Sequence, residues 1–169
     1  MMNYMANHKR ILIAAASKTG TALQCAALLA GCLPDGLAEI CDLTRNRPSP
    51  ADYDLAVVGG SVRMGALHKA ARQYLRSYRS LLQNMPAAYF ICNCFVEQKE
   101  TILKNNFPDA LLQTAVCADS LGGVMDLSVQ KGMDRLIAGM AARTLDSNAA
   151  AGIRKDSIDA FADALMRAL

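Results

Sequence analysis

The 169-residue chain has no tryptophan, two histidines and five prolines, and its 18 basic side chains exceed its 15 acidic ones by only three. So small a surplus excludes a general nucleic-acid footprint, and neither DNA nor RNA is an expected partner. No apolar run approaches the ~18 residues that cross a bilayer. The opening stretch, Met1 to Arg10, lacks the apolar segment and cleavage site of a secretory leader, so a cytoplasmic protein is expected. Six cysteines (Cys25, Cys32, Cys41, Cys92, Cys94 and Cys117) fit no zinc spacing. They read as reduced, mostly buried small groups, and no metal site is expected. The spacings GxxxxGK[ST] and GxGxxG are also missing, which removes the common nucleotide-binding loops.

What is present is apolar. With 53% hydrophobic residues, the chain can bury one substantial core, and a single domain over residues 1–169 is expected. Short apolar runs alternate with helical patterns. Arg10 to Ala16 reads as a buried strand, and Ala22 to Ala30 as a helix ending at Gly31. Leu37 to Leu43 reads as a second strand, closed by the proline-rich turn at Arg45 to Pro50. Tyr53 to Gly60 is a third strand whose continuous apolar centre suits burial on both faces. From Leu67, the residues Ala71, Tyr74, Leu75, Tyr78, Leu81 and Leu82 form one stripe, leaving Lys69, Arg72, Arg76 and Arg79 outside. Pro86 to Asn93 is a fourth strand, Glu97 to Lys104 a short helix and Leu111 to Ser120 a fifth strand. Ile153 to Leu169 closes the chain as a helix with Ile158, Phe161, Ala162, Leu165 and Met166 inward. Five strands joined by helical segments imply a three-layer α/β sandwich around a five-stranded parallel sheet. Ligands of such sheets bind beyond the carboxyl ends of the strands, where the winding reverses.

Three loops fall at that edge. Ser17, Lys18, Thr19, Gly20, Thr21 and Ala22 join the first strand to its helix, where backbone donors, hydroxyls and the positive helix end suit a phosphate. The same serine and threonines would serve a helix cap without any ligand. Gly59 to Gly65 follows the third strand, and its leading glycines suggest a tight turn that presents Ser61, Val62, Arg63, Met64 and Gly65 to a planar ring. Asn93, Cys94 and Phe95 follow the fourth strand. If the three loops form one site, open space is expected beside both Gly20 and Gly60.

These residues carry a family resemblance. Ser17 to Ala22 is similar to the phosphate loop [ST]-x-x-G-x-T of the flavodoxin-like proteins, with Ala22 standing where the pattern has a hydroxyl. Tyr53 to Gly65 resembles the strand and loop ending in G-x-S-[IV]-R-Y-G, with Met64 in place of the aromatic. Phe90 to Asn93 resembles the strand leading to the second ring-flanking loop. Segments at Gly123 to Asp126, Asp134-Arg135 and Arg154 to Ile158 are similar to those of the flavodoxin-domain group that includes menaquinone-dependent protoporphyrinogen oxidase. The resemblance implies a flavodoxin-like fold with FMN as cofactor, Ser17 to Ala22 holding its phosphate, and Ser61 to Gly65 with Asn93 to Phe95 flanking its ring. It also implies a quinone or porphyrinogen substrate, with no catalytic side chain assigned.

Three functions stay open at this point: an FMN-dependent oxidoreductase, an electron carrier without its own substrate, and a binding protein of the same fold that has lost FMN. Flavodoxin-type carriers tend to be acidic, whereas this chain is net basic, which favours the enzyme. Arg63 is either a positive charge beside reduced flavin or a solvated arginine. His68 is either a proton donor or an exposed helix-start residue. Cys92 and Cys94, two apart, would share a strand face. Residues 124–148, with Met125, Met133, Leu136, Ile137 and Met140 at near-helical spacing, form an insert suited to a lid, a membrane-surface element, a homodimer contact or an extra helix. The basic helical face adds a possible membrane surface or redox protein to the expected partners.

Overall fold

A computed structural model describes residues 8–123 and 152–169. The chain opens with strand β1 (Ile11–Ala16), helix α1 (Thr21–Gly31) and strand β2 (Ala38–Asp42). Strand β3 (Leu55–Arg63) turns back into the short β4 (Ala66–Leu67), followed by helices α2 (Lys69–Ser77) and α3 (Arg79–Gln83). Strand β5 (Ala87–Cys92), helices α4 (Lys99–Asn106) and α5 (Asp109–Thr114), and strand β6 (Ala118–Ser120) come next. Two-residue strands β7 (Gly122–Gly123) and β8 (Gly152–Ile153) pair antiparallel, and helix α6 (Lys155–Ala168) completes the described chain.

Five strands run parallel in the order β2-β1-β3-β5-β6, so the winding direction reverses between β1 and β3. The expected three-layer sandwich with a five-stranded parallel sheet is therefore present, with β4 added as an antiparallel edge of β3. Alternation of side chains divides the core in two. Leu12, Ala14, Val58, Tyr89 and Ile91 face α2, α3, α4 and α5, whereas Ile13, Val57, Ala88 and Phe90 face α1 and α6. All six side chains of β1 are buried, as a strand covered on both faces requires. No described helix is long and apolar enough to cross a membrane.

Several boundaries differ from the sequence reading. The strand expected over Leu111 to Ser120 forms only at its end: Pro108, with φ at −56°, leads into α5, which turns Leu111 into the core. The single helix expected after Leu67 is interrupted at Tyr78, where ψ moves to 21°, although its buried stripe and exposed cations fall as expected. Ile153 lies in β8 rather than in the final helix, and Met166 is exposed rather than inward. The 124–148 segment lies outside the described residues.

The largest difference concerns Gly59 and Gly60. They do not begin a turn, because β3 continues through both to Arg63. Instead they admit close neighbours: a Cβ on Gly59 would overlap the Phe90 ring, and one on Gly60 would sit 2.9 Å from the Ala16 carbonyl oxygen and 3.2 Å from the Leu67 side chain. The space expected beside Gly60 is thus filled by the chain's own packing. Phe90, laid over Gly59, meets Phe161 of α6 edge-on with centroids 6.4 Å apart.

Two substitutions test this packing. Gly59→Ala should destabilise the protein by about 2 to 3 kcal/mol, since the Phe90 ring has to leave its rotamer. Tyr89, whose buried hydroxyl has no hydrogen-bond partner among the described residues, should behave oppositely: Tyr89→Phe should leave stability unchanged or raise it by about 1 kcal/mol. Urea unfolding midpoints measure both.

Candidate functional site

The register of the three central strands sets their carboxyl ends side by side. Ala16 lies opposite Gly60, and Ser61 lies opposite Cys92. The loops that leave these ends are also tied together, because the Lys18 N–H donates to Ser61 Oγ at 3.3 Å.

In the first loop, Ser17 Oγ accepts from the Ala22 N–H at 3.0 Å, folding the loop over the start of α1. The Ala22 side chain is fully buried beneath and brings no hydroxyl to the loop. Thr19 and Thr21 hydroxyls lie 3.4 Å apart. Gly20 is the N-cap with φ at +93°, and α1 has no side-chain cap there and no acidic residue in its first turn. The N–H groups of Gly20 and Thr21 have no partner among the described residues. Among the described residues a Cβ built on Gly20 meets no atom within 4 Å, so the expected open space is present here. This combination leaves backbone donors and the positive end of α1 facing solvent, which is the arrangement that receives an oxyanion.

The second loop is a β-hairpin. Val62 pairs with Leu67 and Arg63 with Ala66, leaving only Met64 and Gly65 as the turn. Both have positive φ, +51° and +77°, the signature of a type I′ turn. Met64 is 74% exposed. A methionine in the left-handed region costs about 1 to 2 kcal/mol, so the tip is held there by its surroundings. Asn106 supplies the brace: it accepts from the Leu67 N–H at 2.9 Å and donates to the Gly65 carbonyl at 2.8 Å. Arg63 and Val62 are half-buried on the hairpin. His68 caps α2, with Nδ1 accepting from the Ala70 N–H at 3.1 Å, in keeping with the helix-start role. Its own N–H donates to the Ser61 carbonyl at 2.9 Å.

The third loop is braced from behind. Ser120 Oγ donates to Asn93 Oδ1 at 2.6 Å, and Asn93 Nδ2 donates to the Phe95 carbonyl at 2.6 Å. Asn93 therefore acts as an internal strut rather than an open ligand group. Gly123 packs against the same peptide: a Cβ there would lie 2.9 Å from the Asn93 carbonyl carbon. Cys94 and Phe95 are half-buried beyond the strut. Because β5 ends at Cys92, Cys92 and Cys94 do not share a strand face. Hydrogen bonding with the Cys25 thiol and burial push the Cys92 thiol well up, and burial pushes Cys94 up, so both stay protonated at neutral pH.

Sequence reasoning missed Asn106 and Ser120, and it singled out Gly123 only as part of a family-like segment, not for its packing against Asn93. Each lies far along the chain from the loop it supports, and only the neighbouring glycines Gly122 and Gly123 hinted at a close approach. A separate cleft of about 440 Å³, lined by Glu39 to Asp42 and Arg45 to Pro48, lies along β2 and its following turn and contains none of the three loops.

Comparison with known proteins agrees with this geometry. Residues 12–148 match the family described as flavodoxin domain. Protoporphyrinogen IX dehydrogenase [quinone] of Escherichia coli K12 is 28% identical over 94 residues, covering 54% of this chain and 52% of that protein; the chain thus matches about half the length of this relative. Oxidised flavodoxin 1 from Bacillus cereus superposes over 95% of this chain and 99% of its own, with TM-score 0.57 and 13% identity. A Fusobacterium nucleatum flavodoxin bound to flavin mononucleotide covers 94% of this chain and 98% of its own, with TM-score 0.50 and 10% identity. With its strand order, its open first loop and a family match across most of its length, the chain belongs to the flavodoxin-domain family.

Proposed function

We propose that the protein binds FMN at this rim and works as an FMN-dependent oxidoreductase. The observation that carries the reading is the unpartnered backbone at Gly20 and Thr21, open to solvent at the N-terminus of α1, where the winding of the sheet reverses. These groups fit a phosphate monoester: several N–H donors, the adjacent Thr19 and Thr21 hydroxyls, and no carboxylate in the first turn. The strained and exposed Met64 tip fits a ring-facing position, since backbone strain of this kind collects where a ligand is held. A thioether packs well against an aromatic face. The strut through Asn93 and Ser120 sets where Cys94 and Phe95 stand on the other side.

In this reading the first loop anchors the phosphate, the hairpin and third loop orient the ring, and the surrounding side chains limit water. FMN supplies the electron or hydride transfer itself. No thiol chemistry is assigned to Cys92 or Cys94, which stay protonated. The substrate pair to examine first is protoporphyrinogen IX with a quinone, because the match to the Escherichia coli dehydrogenase covers a 94-residue stretch. A second reading, an electron carrier with no substrate of its own, is favoured by the superposition over almost the whole of a flavodoxin. Turnover of protoporphyrinogen IX separates the two.

FMN added to the protein should lose its fluorescence on binding. Gly20→Asp should weaken that binding by about a hundredfold while the circular dichroism stays unchanged, because a carboxylate set beside the donors repels the phosphate and φ at +93° strains the loop that presents them. Protein that leaves FMN fluorescence unaltered at excess concentration would contradict the reading. Ser120→Ala, which releases the strut without touching the rim, should lower FMN affinity about three- to tenfold with the phosphate loop intact, measurable in the same titration.

A further inference from the structure

No aspartate or glutamate occurs between Asp54 and Glu97, a stretch that includes Arg63, Lys69, Arg72, Arg76 and Arg79. The fold gathers most of these cations on one side. Lys69, Arg72 and Arg76, spaced by three and four residues, share the exposed face of α2, and Arg79 opens α3 directly after it. None of these four has an acidic partner within 4 Å among the described residues. Arg47 joins them from the turn after β2, its guanidinium donating to Gln73 of α2 at 2.8 Å. The stripe begins at the candidate rim, since the His68 N–H is bonded to the Ser61 carbonyl one residue before Lys69.

The opposite layer is mixed in sign. On α6, Asp156, Asp159 and Asp163 repeat the same three-and-four spacing, all exposed. Lys155 and Arg167 on the same helix, both exposed, offset most of that charge, so among the described helices the concentrated single-sign face is that of α2. A concentrated face of one sign orients an approaching partner of the other sign before contact.

We propose that the α2 face is the docking surface for an acidic redox-carrier protein, which it would hold beside the rim where FMN binds. This rests on the FMN reading and names the partner of that same site. Two other polyanions fit the surface less well. A membrane surface needs apolar residues free to insert, yet Ala70, Ala71, Tyr74 and Leu75 of α2 are all buried against the sheet, leaving Met64 as the one large exposed apolar side chain near the stripe among the described residues. Single-stranded nucleic acid needs aromatic platforms, but Tyr74 is buried and Tyr78 is tilted against it with centroids 4.8 Å apart.

The test uses the full chain, with and without added FMN, and a fluorescently labelled acidic [2Fe–2S] ferredoxin as probe, with binding read by anisotropy at low ionic strength. The ferredoxin should bind, and the affinity should fall steeply as salt is added. The double variant R72E/R76E should weaken binding by about tenfold or more, whereas D156K/D163K should not weaken it. FMN affinity of R72E/R76E should equal that of the unaltered protein. Absence of ferredoxin binding, or equal binding by R72E/R76E, would overturn the proposal. So would R72E/R76E-sensitive sedimentation with phosphatidylserine vesicles in place of ferredoxin binding, or salt-sensitive self-association through α2 and α6. A chain that binds ferredoxin as described but never binds FMN would overturn the FMN reading alone, because anisotropy does not depend on the flavin.

Discussion

Everything at the rim depends on how closely β3 is approached from both sides. β3 is the centre of the sheet, paired with β1 and β5, and its last residues set the height at which three loops emerge. Gly59 and Gly60 let the Phe90 ring lie on one face and the β4 and α2 side chains on the other. With side chains at these two positions, both layers would be pushed outward. The ends of β1, β3 and β5 would then no longer be held together by the tight packing seen here. The constraint is one of volume, and it acts before any ligand does.

Above that packed base, the loops are held by a few hydrogen bonds from distant parts of the chain. Lys18 is joined to Ser61, Asn106 braces both sides of the Met64 turn, and Ser120 fixes Asn93, which in turn fixes Phe95. The outcome is a rim whose polar side chains are mostly engaged with one another. The groups left to meet a ligand are mainly backbone donors at the start of α1, together with an exposed thioether. That division suits a cofactor that brings its own chemistry. In the proposed reading the protein supplies an anion site, a shaped edge and a fixed position, and the flavin supplies the chemistry.

The parallel strands were legible because continuous apolar runs such as Ile11 to Ala16 and Ala87 to Cys92 have few other places to go in a chain this size. The loop over Ser17 to Gly20 was legible as a connection because glycine and hydroxyl residues stand between a buried strand and a helix. The hairpin was not, since Ser61 to Gly65 reads as an ordinary turn unless the pairing of Val62 with Leu67 is known. Leu111 to Thr114 was read as strand because four residues cannot distinguish the two periods, and Pro108 just before them was the overlooked signal. The purpose of Gly59 and Gly60 was hidden for a different reason: it lies in Phe90, Leu67 and Ala16, which are neighbours only after folding. Ser120, Asn106 and the packing of Gly123 were missed in the same way. Residues that bear on a ligand directly leave a local pattern, whereas residues that support them leave almost none.

The basic face of α2 adds a concentration of positive charge beside this local arrangement. The proposed binding of FMN turns on the backbone donors at the start of α1. It is tested most directly by assigning the backbone amide resonances and adding FMN. The account expects the largest shifts at Gly20 and Thr21, with further changes at Met64 and Phe95. Shifts confined to the cleft at Asp42 to Pro48, or no shift at Gly20 under saturating FMN, would contradict it.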